Sequence, residues 1–142
     1  MSTVLSVHAA HQGDLRVRAS NGAHEVLMDY PLWPDEAGAG FTPLQMLLVS
    51  LAACSLNSLL VILKRRMNQP VTDIEVDVEA TRAEQHPTVL TDISLNFLVK
   101  GTDIDAEAVK SAIDISENQL CPVWNMLKGS TPINAAFRIS ES

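Results

Sequence analysis

The sequence predicts an α+β protein with antiparallel sheet, and three observations carry that reading. Ile74, Val76, Val78 and Ala80 alternate with Asp73, Glu75, Asp77 and Glu79, the two-residue period of a strand with one buried and one wet face. Ile93, Leu95, Phe97 and Val99 repeat the alternation after a turn at Glu84–Pro87, so the two segments form an antiparallel hairpin. Ahead of them runs a nearly uncharged apolar segment, Phe41 to Leu63, too long for a strand and bounded by helix signals.

In chain order, Val4–His8 reads as an edge strand. Leu15, Val17 and Ala19 alternate with Arg16, Arg18 and Ser20, which gives a half-buried strand. Asn21-Gly22 is a hairpin signal, and Glu25–Asp29 is the return strand. Pro31, Pro34, Gly38 and Gly40 make the next segment a loop, which holds Trp33. Thr42 is a helix N-cap, Pro43 suits the first helical position, and Gln45 completes a capping box. Lys64, Arg65 and Arg66 oppose the negative end of the helix dipole, and Asn68 and Pro70 stop the helix. After the second hairpin, Asp103 or Asp105 caps a helix running to about Asn118, with Val109, Ala112, Ile113 and Ser116 facing inward. Cys121 caps a short helix that starts at Pro122 and ends at Gly129. Ile133, Ala135, Phe137 and Ile139 form the last strand.

At 142 residues the chain, 1–142, is expected to be a single domain with a real core. A net charge of −7 argues against nucleic acid or an anionic membrane as partner, and an aromatic content of 4% argues against base stacking. The first eight residues lack a basic stretch followed by an apolar run, so no secretory signal is expected. Two cysteines are too few for a disulfide scaffold. The expected setting is cytoplasmic, where a disulfide is transient and functional. Leu44–Leu63 has the length of a membrane span, but Gln45, Ser50, Ser55, Asn57 and Ser58 interrupt it. It reads instead as a helix buried nearly all round, in a deep core or at a dimer interface.

The chemistry-bearing residues are Cys54 and Cys121. Ser50, Cys54, Asn57 and Ser58 fall on one narrow stripe of the long helix at about 100° per residue. Apolar burial raises a thiol's pKa, so Cys54 needs a cation or a donor to react. Its alternative role is that of a small core residue. As an N-cap, the Cys121 sulfur would face free N–H groups and the positive end of the dipole, which favour the thiolate. Its alternative role is capping, or packing beside Leu120 and Trp124. Trp33 and Trp124 line an apolar pocket or pack in a core or interface. Met46, Met67 and Met126 read as core fillers. His8, His11, His24 and His86 have no ligand spacing relative to either cysteine, so no metal and no cofactor is expected.

The pattern resembles the OsmC/Ohr proteins, thiol-dependent peroxidases that reduce organic hydroperoxides. The resemblance covers nearly the whole chain in element order. It is sharpest in Thr42-Pro-Leu-Gln-Met-Leu-Leu-Val-Ser-Leu-Ala-Ala-Cys54, similar to the family's Pro-led central helix with its small-small-Cys ending, and in Leu120-Cys121-Pro-Val. It implies antiparallel sheets wrapped around a long central helix in an intertwined homodimer, with active sites at the subunit interface. It also implies Cys54 as the peroxide-attacking thiol, Cys121 as the resolving thiol and a dithiol reductant. Peroxidase members carry a Glu directly after the helix-leading Pro, where this chain has Leu44, and an activating Arg held by that Glu. In this respect the chain resembles the uncharacterised OsmC-like branch. Arg16 and Arg18 are the early-strand cations, and with Trp33 and Trp124 they make the candidate substrate-binding set.

Three functions are open at this point. The first is a dimeric two-cysteine peroxidase for organic hydroperoxides. The second is a dimeric module binding another small apolar ligand, which the loss of the Glu at Leu44 favours. The third is a slow thiol redox sensor without turnover.

Overall fold

The computed structural model describes residues 2–141. The chain forms two compact units, one ending at Leu47 and the other beginning at Leu48. The first holds a three-stranded antiparallel sheet, β1 (His8–His11), β2 (Val17–Ser20) and β3 (Glu25–Met28), in that order. The edge strand lies later than the expected Val4–His8. Val4, Leu5 and Val7 are exposed, and the residues that pair with β2 are His8 to His11. Leu15 also falls outside its expected strand, in the turn before β2. The Asn21-Gly22 turn forms as read. Asn21 Oδ1 accepts the Ala23 and His24 amides at 3.0 and 2.8 Å, and Gly22 takes φ +96°, which a glycine adopts without strain.

The long helix, α1 (Pro43–Val61), begins with the capping box read from the sequence. Thr42 N donates to Gln45 Oε1 at 3.0 Å and Gln45 N to Thr42 Oγ1 at 3.2 Å. The helix continues through one π-helical turn, Ile62–Arg66, and ends where Asn68 enters the left-handed region at φ +51°. Leu51, Ser55, Ser58, Leu59, Ile62 and Leu63 are its buried residues, on one face at helical spacing. The expected burial all round is therefore not reached within one chain. Only 33% of the apolar stretch is buried, and Leu47 and Val49 remain 37% and 38% exposed.

The second unit also holds β4 (Val71–Arg82), β5 (Leu90–Gly101), α2 (Ala106–Ile115), α3 (Pro122–Leu127) and β6 (Ile133–Glu141). β4 and β5 form the antiparallel hairpin predicted, with Ile74 opposite Val99 and Val76 opposite Phe97. Their inward row, led by Ile74, Ile93, Leu95, Phe97 and Val99, is the sheet's contribution to the core. The acidic residues of β4 face water, as read. β6 departs from the antiparallel expectation and pairs parallel to β5, Phe137 beside Phe97. The segment carrying α2 and α3 is the crossover that a parallel neighbour requires.

Gly101 closes β5 against the residues leaving α1. A Cβ there would run into the Pro70 carbonyl oxygen and lie 2.7 Å from Ile104 Cδ1. Gly101→Ala is expected to cost about 1–3 kcal/mol of stability by overpacking. Urea unfolding checks this, and an unchanged midpoint would contradict the close approach.

Candidate functional site

Cys54 lies between Leu51 and Ser58 at the margin of the buried face of α1 and is half-buried. The small residues around it have local partners. Ser55 Oγ donates to the Ala52 carbonyl at 3.2 Å and Ser58 Oγ to the Cys54 carbonyl at 2.9 Å. These bonds satisfy the two buried hydroxyls within the helix.

Cys121 is placed by the chain on both sides. A π-helical turn, Ser116–Leu120, follows α2, and the Cys121 amide closes it by donating to the Ser116 carbonyl at 2.9 Å. Cys121 then takes extended angles, φ −80° and ψ 107°, as the N-cap of α3, with Pro122 at the first helical position. Its carbonyl accepts Asn125 N at 3.0 Å and Asn125 Nδ2 at 2.8 Å. The result is a fully buried thiol whose titration Cys54 influences. Both cysteines are free thiols.

The expected acidity of Cys121 is overturned. Burial pushes its thiol up, to about 11, and the hydrogen bond with Cys54 adds to the rise. The amides of Trp124 and Val123 at the start of α3 pull the other way, as a helix N-terminus should, but do not prevail. α3 is only six residues long and makes no regular side-chain cap bond. Desolvation therefore outweighs the field of the helix end.

A pH dependence follows. An unfolded Cys121 titrates near its ordinary value of 9.0, whereas the folded thiol holds its proton to about 11. Between those values the unfolded chain has lost a proton that the folded chain keeps, so ionisation favours unfolding. The contribution is fully present below about pH 9 and is lost as pH rises toward about 11. Melting temperatures of wild type are expected to fall more steeply than those of Cys121→Ala above about pH 9. Parallel curves for the two proteins would exclude the linkage.

The remaining candidates separate. Trp124 is fully buried as a core side chain of the second unit, and its Nε1 and the Ser116 Oγ are buried without a partner. Trp33 is 64% exposed on the loop of the first unit, so it packs in no core within the chain. Met126, read as a core filler, is 72% exposed. Arg16 and Arg18 belong to the first unit and pair with surface carboxylates, Asp14 at 3.3 Å and Glu25 at 3.1 Å. The sequence reading passed over Asn125; an Asn four residues beyond a cap was the available signal, since that spacing returns it to the cap carbonyl.

Fold and site together define an α+β protein with two free thiols, one within the long helix and one capping a short helix. The sequence model of the OsmC-like proteins matches residues 35–136. Over 120 residues the chain is 31% identical to protein YhfA of Escherichia coli strain K12, covering 84% of this chain and 86% of YhfA. The chain belongs to the OsmC-like protein family. Its fold matches that of an OsmC-like protein from Mycoplasma pneumoniae with a TM-score of 0.86, at 22% identity over 98% of this chain and 99% of the other. It also matches the organic hydroperoxide resistance protein OhrB of Bacillus subtilis with a TM-score of 0.67, at 18% identity over 96% and 98% of the two chains.

Proposed function

We propose that this chain is a thiol-dependent peroxidase that reduces organic hydroperoxides through Cys54 and Cys121, as one OsmC-like domain in a cytoplasmic homodimer. The observation that carries the reading is that Cys54 acts on the titration of the buried Cys121, as a neighbouring thiol would. Their unequal surroundings support a division of labour. Cys54 is half-buried and open to a peroxide, whereas Cys121 is enclosed and held as the protonated partner.

In the first step the Cys54 sulfur attacks one peroxide oxygen. An S–O bond forms, the O–O bond breaks, and the alkoxide leaves as an alcohol after taking a proton. Sulfur is oxidised by two electrons to sulfenic acid. Cys121 then attacks that sulfur, the S–O bond breaks, the S–S bond forms and water leaves. The Val123 and Trp124 amides favour the thiolate that Cys121 must become at that moment. A small dithiol restores both thiols by exchange and is itself oxidised to a disulfide.

The homodimer reading is supported by the apolar surface that one chain leaves uncovered on α1 and beside it, at Leu47, Val49 and Phe41. Arg16, Arg18, Trp33 and Trp124 are the residues proposed for substrate binding, the first three exposed and Trp124 buried. The second reading, a dimeric module binding another small apolar ligand without turnover, is favoured by Leu44 at the position of the peroxidases' Glu.

The test is a free-thiol count on reduced protein given one equivalent of cumene hydroperoxide, then excess dihydrolipoamide. Loss of two thiols with repeated consumption of peroxide supports the enzyme. Loss of two thiols once, without turnover, supports the sensor. Thiols that stay reduced in the folded protein would sink both the enzyme and the sensor and leave the binding module.

A further inference from the structure

Cys121 stands between two elements with little hold of their own. The π-helical turn before it is five residues long, and α3 after it is six. Helices this short are marginal in isolation. The side chain of Lys128, just beyond α3, reaches back across both. Its Nζ donates to the Glu117 carbonyl at 3.3 Å and to Asn118 Oδ1 at 2.8 Å. Asn118 Nδ2 in turn donates to Asp114, to the carbonyl at 3.0 Å and to Oδ1 at 3.1 Å. The chain is thus braced from the end of α2 to the end of α3, with Cys121 inside the closed segment.

Lys128 is half-buried, and both oxygens it binds belong to the π-helical turn rather than to a surface carboxylate. Among the described residues, no ion pair involves it. An ammonium spent on a main-chain carbonyl and a side-chain amide acts as a brace. Closing a segment at both ends restricts where its middle can go.

We infer that Lys128 is a positioning residue for the thiol pair: by clasping the turn before Cys121 to the helix after it, it holds the Cys121 sulfur within reach of Cys54. The inference rests on the thiol–disulfide reading of the site, but its test does not require peroxide turnover.

The experiment equilibrates the full-length protein in glutathione redox buffers. The S–S bond of glutathione disulfide breaks, the Cys54–Cys121 bond forms, and the two thiol protons end on two glutathione thiols. The equilibrium constant reports how well the folded chain presents one sulfur to the other. Lys128→Met is expected to lower it about tenfold or more, and Lys128→Arg to stay within about threefold of wild type. Asn118→Ala is expected to fall about as far as Lys128→Met, and the double variant no further, because both remove one brace. Alkylation of Cys54 by iodoacetamide is expected to stay unchanged in Lys128→Met, whereas general loosening would raise it. A Lys128→Met constant within about twofold of wild type, or full additivity with Asn118→Ala, overturns the inference. So does a wild-type protein that forms no disulfide in these buffers. A parallel arm with cumene hydroperoxide separates the two ideas. A brace effect without peroxide consumption leaves the positioning role and removes the peroxidase, and peroxide turnover without a brace effect does the reverse.

Discussion

Cys54→Ser is expected to abolish peroxide consumption, a loss on the order of a thousandfold or more. The loss is one of kind as well as degree. A serine hydroxyl is a far weaker nucleophile near neutral pH, and oxygen has no counterpart to the two-electron oxidation of sulfur. Cys121→Ser is expected to behave differently. Serine is similar in size, and its hydroxyl can still donate toward Cys54, so the first oxidation should stay within about threefold of wild type. The second step has no thiol to complete it. A sulfenic acid should then be trapped by dimedone at Cys54, and further peroxide should carry that sulfur to the sulfinic acid. Mass spectrometry after stoichiometric and excess peroxide reads both stages. If Cys121→Ser instead removed the first oxidation and Cys54→Ser did not, the roles of the two thiols would be reversed.

The second large effect is on stability. Trp124 heads the fully buried side chains of the core, at the centre of α3 and one turn beyond Cys121. Trp124→Ala is expected to cost about 3–5 kcal/mol, the transfer term plus the cavity left behind. That is a large share of the roughly 5–15 kcal/mol by which a domain is stable. The melting temperature should fall by about 10–20 °C. Trp124→Phe should cost much less, about 1 kcal/mol or under, because it keeps most of the ring and removes an Nε1 that has no hydrogen-bond partner. Urea unfolding by circular dichroism at one fixed protein concentration checks both variants, since the stability of a dimer depends on concentration. Equal losses for Ala and Phe would mean that the indole N–H, rather than ring volume, secures the position.

The reactive pair was legible in outline. Two cysteines at marked helical positions, with a Pro directly after Cys121, were enough to select them, and Cys54 is among the groups that raise the Cys121 pKa. Their relative reactivity was not legible. The N-cap position of Cys121 argued for a lowered pKa, and that effect is present in the amides of Val123 and Trp124. The opposing burial is set by how the folded chain packs around Cys121, which no local pattern reports. The brace at Lys128 was hidden for the same reason, because its partners Glu117 and Asn118 lie eleven and ten residues away across an irregular turn.

The same division runs through the whole fold. The amino-acid sequence by itself determined where helices start and stop and which face of each long strand turns inward. The Thr42–Gln45 box, the Asp105 cap on Glu107, the left-handed Asn68 and the alternation of β4 and β5 each depend on contacts within a few residues. Only the tertiary structure decided that the edge strand is His8–His11, that β6 runs parallel to β5, that α1 buries one face and that Cys121 keeps its proton. Each of those depends on what lies across from a residue, and the energy of burial is set by neighbours that the chain brings together only on folding.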